Sequence, residues 1–248
     1  MRSPFICLLL FLLLLSCKKE DKLTFQPLHL SMEDCIDCAQ VSIDLPEALD
    51  NGRIGNAVNR SLREEVIALL TFEDGTEPET LQEAMESFNS GYQELNKRFP
   101  GEEATPWEGR IEAEISFEDA HLLSIRLQSY LFTGGAHGYS SITFLNFNKQ
   151  KGKEMEDWEL FKDQGDFQLY AERAFRKQED IPADQSINST GFMFERDSFY
   201  LPENIGLTEK GLQLHYNQYE VASYADGPIE LTLPYKEVQK YLSQKIKS

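Results

Sequence analysis

The sequence predicts an α+β fold, an antiparallel sheet meander packed with two long N-terminal helices and a C-terminal helix. Three patterns carry this reading. Ile54, Val58, Leu62, Val66 and Leu69 recur every three or four residues, as do Leu81, Met85, Phe88, Tyr92, Leu95 and Phe99. That period gathers each set on one face of a helix. From Ile111 the period changes: Ile111, Ala113, Ile115 and Phe117 alternate with Glu112, Glu114 and Ser116, as in a strand with one wet face. Helical runs and strand runs are also segregated along the chain, where a doubly wound sheet would interleave them.

The chain opens on a segment of another kind. Residues 1–16 hold one charge, Arg2, before an apolar run from Phe5 to Leu15. The run is too short to span a bilayer as a helix, which needs about 20 residues. A positive start, a short apolar core and a small residue before a cut describe an export leader. Leu14-Leu15-Ser16-Cys17 resembles the lipobox of bacterial lipoproteins, in which the leader is removed and the cysteine is acylated. Several acyl chains anchor a protein stably where one is marginal. The expectation is a leader over 1–16 and a lipidated Cys17 with its tether over 17–38, where Lys18-Lys19-Glu20-Asp21-Lys22 is charged and solvated. Lys18 rather than aspartate follows the cysteine, and by resemblance to Gram-negative sorting rules this points to the outer membrane. Lys19-Glu20-Asp21 resembles a signal for its outer face. The expected location is therefore an outer-membrane lipoprotein, periplasmic or surface-exposed.

Of four cysteines, Cys7 leaves with the leader. Cys35 and Cys38 remain, spaced Cys-Ile-Asp-Cys. Outside the cytoplasm a disulfide is the first reading, free thiols the second and a metal the third, since zinc needs four ligands and only His29 is near. A thioredoxin-like site would set this motif at a helix start within a βαβ unit, whereas here an acidic stretch leads into a strand. No metal and no cofactor are expected.

The elements then follow in order. Ala39 to Leu45 reads as a strand ended by Pro46. A helix starts at Asn51. A second runs from Leu81, with Thr76 and Glu79 as a candidate capping box and Pro100-Gly101 as its stop. The strands around Ile111–Phe117 and Leu123–Leu127 form a hairpin about Glu118-Asp119-Ala120. Ser140 to Phe147 adds a third strand, closed by a turn over Asn148 to Gly152. A short helix is expected over Asp166 to Phe175 and a polar loop over 179–190. Phe192 to Tyr200, Gly211 to Tyr216 and Ile229 to Leu233 read as strands. Pro234 opens the last helix, with Tyr235, Val238, Leu242 and Ile246 on one side.

The net charge of −18 argues against nucleic acid and anionic lipid as partners of the folded part and favours cationic ones, with attraction that weakens as salt rises. The acid is spread over Glu73-Asp74, Glu102-Glu103, Glu118-Asp119 and Glu154 to Glu159, so no block forms an acidic tail. Thr71-Phe72-Glu73-Asp74-Gly75 looks like a metal-binding element of polysaccharide deacetylases. Such a site also needs closely spaced histidines, and His29, His121, His137 and His215 supply no short-spaced pair; a loop between helices is the better reading.

Two segments stand out as candidate binding elements. Thr133-Gly134-Gly135-Ala136-His137-Gly138 holds three glycines in five residues between strands, which signals tight backbone and a close neighbour. Tyr219-Glu220-Val221-Ala222-Ser223-Tyr224-Ala225-Asp226-Gly227 is rich in tyrosine and ends in a turn. His137 reads as an imidazole bonded to its own loop, with a general base or ligand as the alternative. His215 with Tyr216, Tyr219 and Tyr224 reads either as a groove lining or as sheet packing with hydroxyls at the rim. No catalytic residue is identifiable: the Gly-x-Ser-x-Gly elbow, the P-loop and His-Glu-x-x-His are all missing.

Together these two segments resemble the extracytoplasmic domain family shared by RsiV-type lysozyme-sensing anti-sigma factors and PdaC-type peptidoglycan deacetylases. That family carries a Gly-Gly-Ala-His-Gly element, matched at Gly134 to Gly138, and later a Tyr-Glu-x-Ala-x-Tyr-Ala-x-Gly element, matched at Tyr219 to Gly227. The likeness covers about Val41 to Tyr241, with 39–132 resembling the PdaC-type region and 133–248 the RsiV-type region. It implies an α+β domain of the cell envelope. Sigma-factor capture is not expected, because cleavage before Cys17 leaves no cytoplasmic part, and the chain has no room for the separate catalytic domain of the deacetylases. The expected function is a binding or sensing lipoprotein for lysozyme-like cationic proteins, using Gly134, Gly135, His137, Gly138, Tyr219, Tyr224 and Gly227. The alternatives are a peptidoglycan- or glycan-binding accessory and, third, a cell-wall hydrolase assembled only in three dimensions.

Overall fold

The computed structural model describes residues 22–32, 37–72, 77–99 and 105–246. Its larger sheet holds β1 (Phe25–Met32), β2 (Gln40–Ala48), β3 (Glu108–Glu118), β4 (Leu122–Phe132), β5 (Tyr139–Asn148) and the two-residue β6 (Lys153–Glu154), in that spatial order. Neighbours are antiparallel except β2 and β3, which run parallel. The exception follows from what joins them: α1 (Arg53–Leu70) and α2 (Leu81–Arg98) supply the long crossover that a parallel pair requires. The α+β expectation therefore holds, with one parallel pair inside the meander.

Both helices cover one face of this sheet. Val58, Leu62 and Val66 of α1 and Met85, Phe88 and Tyr92 of α2 pack with Val41, Ile43, Ile111, Leu127 and Phe147 in one core. Burying each such side chain stabilises the fold by about 1.5–3 kcal/mol. The period read from the sequence identifies these residues, but Phe99 departs from it and is 55% exposed at the end of α2. The capping box also sits elsewhere than expected. Thr80 accepts from the Glu83 N–H at 3.2 Å and Glu83 returns the bond to the Thr80 N–H, whereas Glu79 only donates its N–H to Glu83. Thr76 and the candidate loop residues 73–75 lie outside the described residues.

The other face carries a smaller antiparallel sheet, β7 (Asn204–Thr208), β8 (Gly211–Tyr216) and β9 (Ile229–Leu233), with α3 (Gln164–Gln178) and the one-turn α4 (Tyr235–Val238). A second core forms here around Phe167, Phe175, Phe194, Phe199, Leu214 and Tyr216. The two sheets are stitched by buried polar groups. Ser124 of β4 donates to Asn146 of β5 at 2.8 Å and accepts from the Leu207 N–H, while Asn146 donates to the Ile205 carbonyl at 2.7 Å. Gly206 lies so close to Phe144 that a Cβ there would sit 1.9 Å from the ring.

Several sequence readings need correction. The tether drawn over 17–38 contains β1, an edge strand paired along its whole length with β2. The division at 132/133 falls between β4 and β5, which are hydrogen-bonded neighbours in the larger sheet, so it does not separate two packing units. Phe192 to Tyr200 is not a strand. Arg196 and Asp197 take positive φ, and Asn188 bonds both the N–H and the carbonyl of Phe194, which takes that residue out of a ladder. The strand of this region is β7. The last helix is one turn long, and beyond it Ser243 bonds the Leu160 and Glu159 carbonyls, although Tyr235, Val238, Leu242 and Ile246 are all buried as their spacing required.

One carboxylate is held in an unfavourable state. Burial, with Glu156 and Glu154 adding repulsion, pushes Asp157 up from 3.8 to about 7. A folded-state value above the unfolded one means that the fold binds the proton more tightly, so stability falls as pH rises from about 4 to about 7. Asp157→Asn is expected to raise the unfolding free energy at pH 8 by about 2 kcal/mol, after allowance for partial exposure, and to leave it unchanged at pH 4. Urea midpoints at the two pH values check this, and equal effects at both would refute it.

Candidate functional site

The glycine segment forms the turn between β4 and β5. Gly134 and Gly135 adopt φ of 101° and 90°, and a Cβ at either would meet nothing within 4 Å, so the backbone sign and not space demands glycine. Gly138 is different: its φ is ordinary, but a Cβ would fall 2.5 Å from the Tyr130 ring. This turn is thereby pressed against β4.

The tyrosine segment leaves β8 and is locked to β5 by a side-chain clamp. Asn217 accepts from the Ile142 N–H at 2.8 Å and donates to the Ile142 carbonyl at 3.1 Å, standing in for a strand partner. Glu220 accepts from the N–H groups of Asn217 at 2.8 Å and Glu203 at 3.2 Å. Burial pushes its carboxyl above the usual range, with those two bonds acting in the opposite sense. Tyr216 donates to the Tyr200 carbonyl and Tyr200 to the Glu220 carbonyl. Asp226 accepts from the Ser223 N–H and closes a short turn that ends at Gly227, φ 74°. Tyr219 itself takes φ 68°, a left-handed conformation that costs a non-glycine residue free energy.

These constraints bring the two segments together at one end of the larger sheet. The His137 and Tyr224 rings stack at 3.9 Å and 19°, and Tyr219 lies against Tyr224 at 5.6 Å. Tyr224 donates to the Gly138 carbonyl at 3.3 Å, as His137 Nδ1 approaches the same oxygen at 3.3 Å. Tyr139 donates to the Gln218 carbonyl at 3.4 Å. The group is open to solvent: Tyr219 is 56% exposed, Tyr139 is 38% exposed, and His137 is exposed too. Burial, then Glu220 and Glu203, push the Tyr139 hydroxyl above its usual value, so it remains a donor at neutral pH. Beside the stack, a cleft of about 220 Å³ is lined by Arg110, Glu112, Gln128, Tyr130 and Ser140, with the Arg110 guanidinium 5.1 Å above the Tyr130 ring.

Gly134, Gly135, His137, Gly138, Tyr219, Tyr224 and Gly227 thus share one end of the molecule. His215 and Tyr216 do not join them. Both are buried in β8, the central strand of its sheet, and His215 pairs with Glu230 at 3.1 Å. Burial holds the His215 imidazole below its usual value although Glu230 pulls the other way. The groove reading is corrected for these two residues, because a central strand covered on both faces has no wet side. Asn217, Gln218 and Tyr139 were not singled out by sequence, and Glu220 only as a member of the tyrosine segment, although Tyr139 follows the glycine turn directly and Gln218 adjoins Tyr219.

Among the described residues His137 has the Gly138 carbonyl and the Tyr224 ring face as its partners, and no ion pair or hydrogen bond joins it to a carboxylate. Among the described residues no group of three His, Cys, Asp or Glu is placed to hold a metal ion, and no helix is long and apolar enough to cross a membrane. Cys38 is buried and disulfide-bonded; Cys35 and Cys17 lie outside the described residues. What the arrangement offers chemically is a pre-formed aromatic surface with amide and carboxylate groups at its rim.

Comparisons with known proteins divide the chain in two. Residues 33–140 match the family model described as Deacetylase PdaC, and residues 149–236 match that of a protein of unknown function, DUF3298. A DUF3298 family member from Bacteroides fragilis NCTC 9343 is 18% identical, with a TM-score of 0.70 over 90% of this chain and 94% of that one. A DUF3298 family protein from Pseudomonas aeruginosa PAO1 is 21% identical, with a TM-score of 0.64 over 90% and 96%. At these identities the likeness establishes the fold. No curated protein matches. The first segment contributes Gly134 to Gly138 to the aromatic surface and the second contributes Tyr219 to Gly227, so the surface exists only where the two meet.

Proposed function

We propose, for a chain whose residues 33–140 match the PdaC model and whose residues 149–236 match the DUF3298 model, that it is an outer-membrane lipoprotein, acylated at Cys17, which binds a cationic protein of the lysozyme kind outside the cytoplasm. The observation that carries this reading is the aromatic cluster in which exposed His137 stacks on half-buried Tyr224 and exposed Tyr219 leans against it. Protein interfaces draw most of their affinity from a few aromatic anchors with a polar rim. Here the rim is acidic: Glu203 and Glu220 act electrostatically on Tyr139, and Asp226 closes the Tyr224 turn. A net charge of −18 speeds encounter with a basic partner.

Titration of lysozyme into the chain from Lys18 to Ser248, at low and at physiological salt, tests this against an equally basic unrelated protein. Binding should saturate, weaken with salt and remain selective for lysozyme at physiological salt. Tyr219→Ala and Tyr224→Ala should each weaken it by about 2 kcal/mol, roughly 30-fold. Binding equal to the control, or unaffected by both substitutions, would reduce the attraction to generic charge.

A second reading, a peptidoglycan- or glycan-binding accessory, is favoured by the near-parallel His137 and Tyr224 rings beside the Asn217 and Gln218 side chains. Flat aromatic faces and amides suit sugar rings, which present both apolar C–H faces and hydroxyls. Co-sedimentation with purified cell wall, lost in Tyr224→Ala, would favour it over the protein partner.

A further inference from the structure

We infer that the fold holds the His137–Tyr224–Tyr219 surface at the end of the molecule opposite the exit of the membrane tether, so that its partner is a soluble molecule arriving from the aqueous side and not a lipid or a membrane-embedded neighbour. This rests on the anchor at Cys17 proposed above. The strand register supplies the geometry. Along β4, Leu123 pairs with Glu118 and Leu131 pairs with Tyr139. The glycine turn over 133–138 therefore follows one end of β4, and Glu118 marks the other. An 11-residue strand spans about 33 Å.

The chain enters the sheet at the Glu118 end and is fastened there. The Leu23 N–H donates to Glu118 Oε1 at 2.8 Å. Lys149 Nζ donates to the same oxygen at 2.7 Å and to the Asp119 carbonyl at 2.9 Å. The Lys149 and Glu118 side chains are each only 7% exposed, so this ion pair is shielded from salt and solvent. Next to it the Thr24 N–H donates to Asp50 at 2.9 Å and the Thr24 carbonyl accepts from Leu49 at 2.8 Å. Residues 23 and 24 are thus pinned on both sides before β1 begins.

The six residues from Cys17 to Lys22 extend at most about 20 Å, less than the length of the sheet. An anchor at residue 17 keeps the Glu118 end near the bilayer. Tipping over to lay the aromatic end on the surface would bring a strongly acidic body against anionic headgroups, which electrostatics opposes. At the Glu118 end, by contrast, the tether residues Lys18, Lys19 and Lys22 add positive charge.

The experiment uses the acylated full-length chain in phosphatidylethanolamine–phosphatidylglycerol vesicles that carry an energy acceptor on the headgroups. Azidophenylalanine replaces Tyr219 in one protein and Lys151 in another, each coupled to the same donor dye; Lys151 is exposed and lies near the tether exit. Energy transfer should be several-fold weaker from position 219 than from position 151. Equal transfer, or stronger transfer from 219, overturns the inference. Flotation of the vesicles reports the anchor separately. If the chain does not float, the anchor proposal fails, and the same measurement on unacylated chain coupled through Cys17 to a maleimide lipid still decides the orientation.

Discussion

Phe175→Ala is expected to lower the unfolding free energy by about 3–5 kcal/mol, the cost of emptying a fully buried aromatic site. Phe175 is completely buried on α3, and its ring is surrounded by Phe192 at 5.0 Å, Phe194 at 5.4 Å, Phe199 at 5.5 Å and Tyr216 at 5.8 Å. Because these rings already contact one another, with Tyr216 edge-on to Phe194 and Phe199, they cannot close over the void without giving up those contacts. Tyr216 immediately precedes the Asn217 clamp and anchors Tyr200, which in turn bonds the Glu220 carbonyl. The cavity therefore also loosens the platform under Tyr219 and Tyr224. Urea denaturation should show the loss of stability, and lysozyme titration well below the denaturation midpoint should show weaker binding. A stability loss under about 1 kcal/mol would mean that this site collapses freely, contrary to the packing. Phe175→Leu should cost clearly less, since it keeps most of the volume.

Lys149→Met should cost a similar amount, about 3–5 kcal/mol, for an electrostatic reason. It leaves Glu118 buried with its charge opposed only by the Leu23 N–H. The pair as a whole is worth far less than either single substitution suggests, because both ions were desolvated to make it. The double variant Lys149→Met with Glu118→Gln should therefore recover more than half of the single-variant loss. With Glu118→Gln alone and the parent protein, these variants form a four-protein double-mutant cycle read by chemical denaturation. Additive losses would show that the two side chains do not act as a pair. The same variant should free the Leu23 end of the chain, visible as faster amide exchange at residues 23 to 25 than in the parent protein.

Much of the fold was legible because it rests on local periodicity. The apolar steps of α1 and α2 and the alternation at the start of β3 are properties of neighbouring residues, and burial follows them: Val58, Val66, Phe88 and Ile111 are all essentially inaccessible. Past Ala113 it does not, because a register shift between Ile115 and Phe117 leaves Ile115 38% exposed and Phe117 against the second core, while Ser124 on the expected wet face of β4 is buried. What escaped lacks a local signal. The β1 sequence, Phe-Gln-Pro-Leu-His-Leu-Ser-Met, carries a proline and follows a charged run, and only its pairing with β2 makes it a strand. Phe192 to Tyr200 has the apolar and aromatic content of a strand, yet Asn188 and the left-handed Arg196 and Asp197 turn it into an irregular cover for the Phe175 cluster. Propensity described the side chains there, and long-range packing chose the backbone.

The sequence by itself determined the helix pair, the central hairpin, the acidic charge and the two segments of the candidate site, because each is written in residues close to one another along the chain. It also raised the export leader and Cys17 as expectations. Only the tertiary structure decided that His137 stacks on Tyr224, residues whose segments are joined by a hydrogen bond spanning 86 positions. It alone decided that His215 and Tyr216 lie inside a sheet covered on both faces, and that Leu23 and the aromatic surface occupy opposite ends of β4. The reason is physical: one strand's period states which of its faces is apolar, but which distant segment covers that face, and in what register, depends on the sum of contacts that only the assembled sheets make.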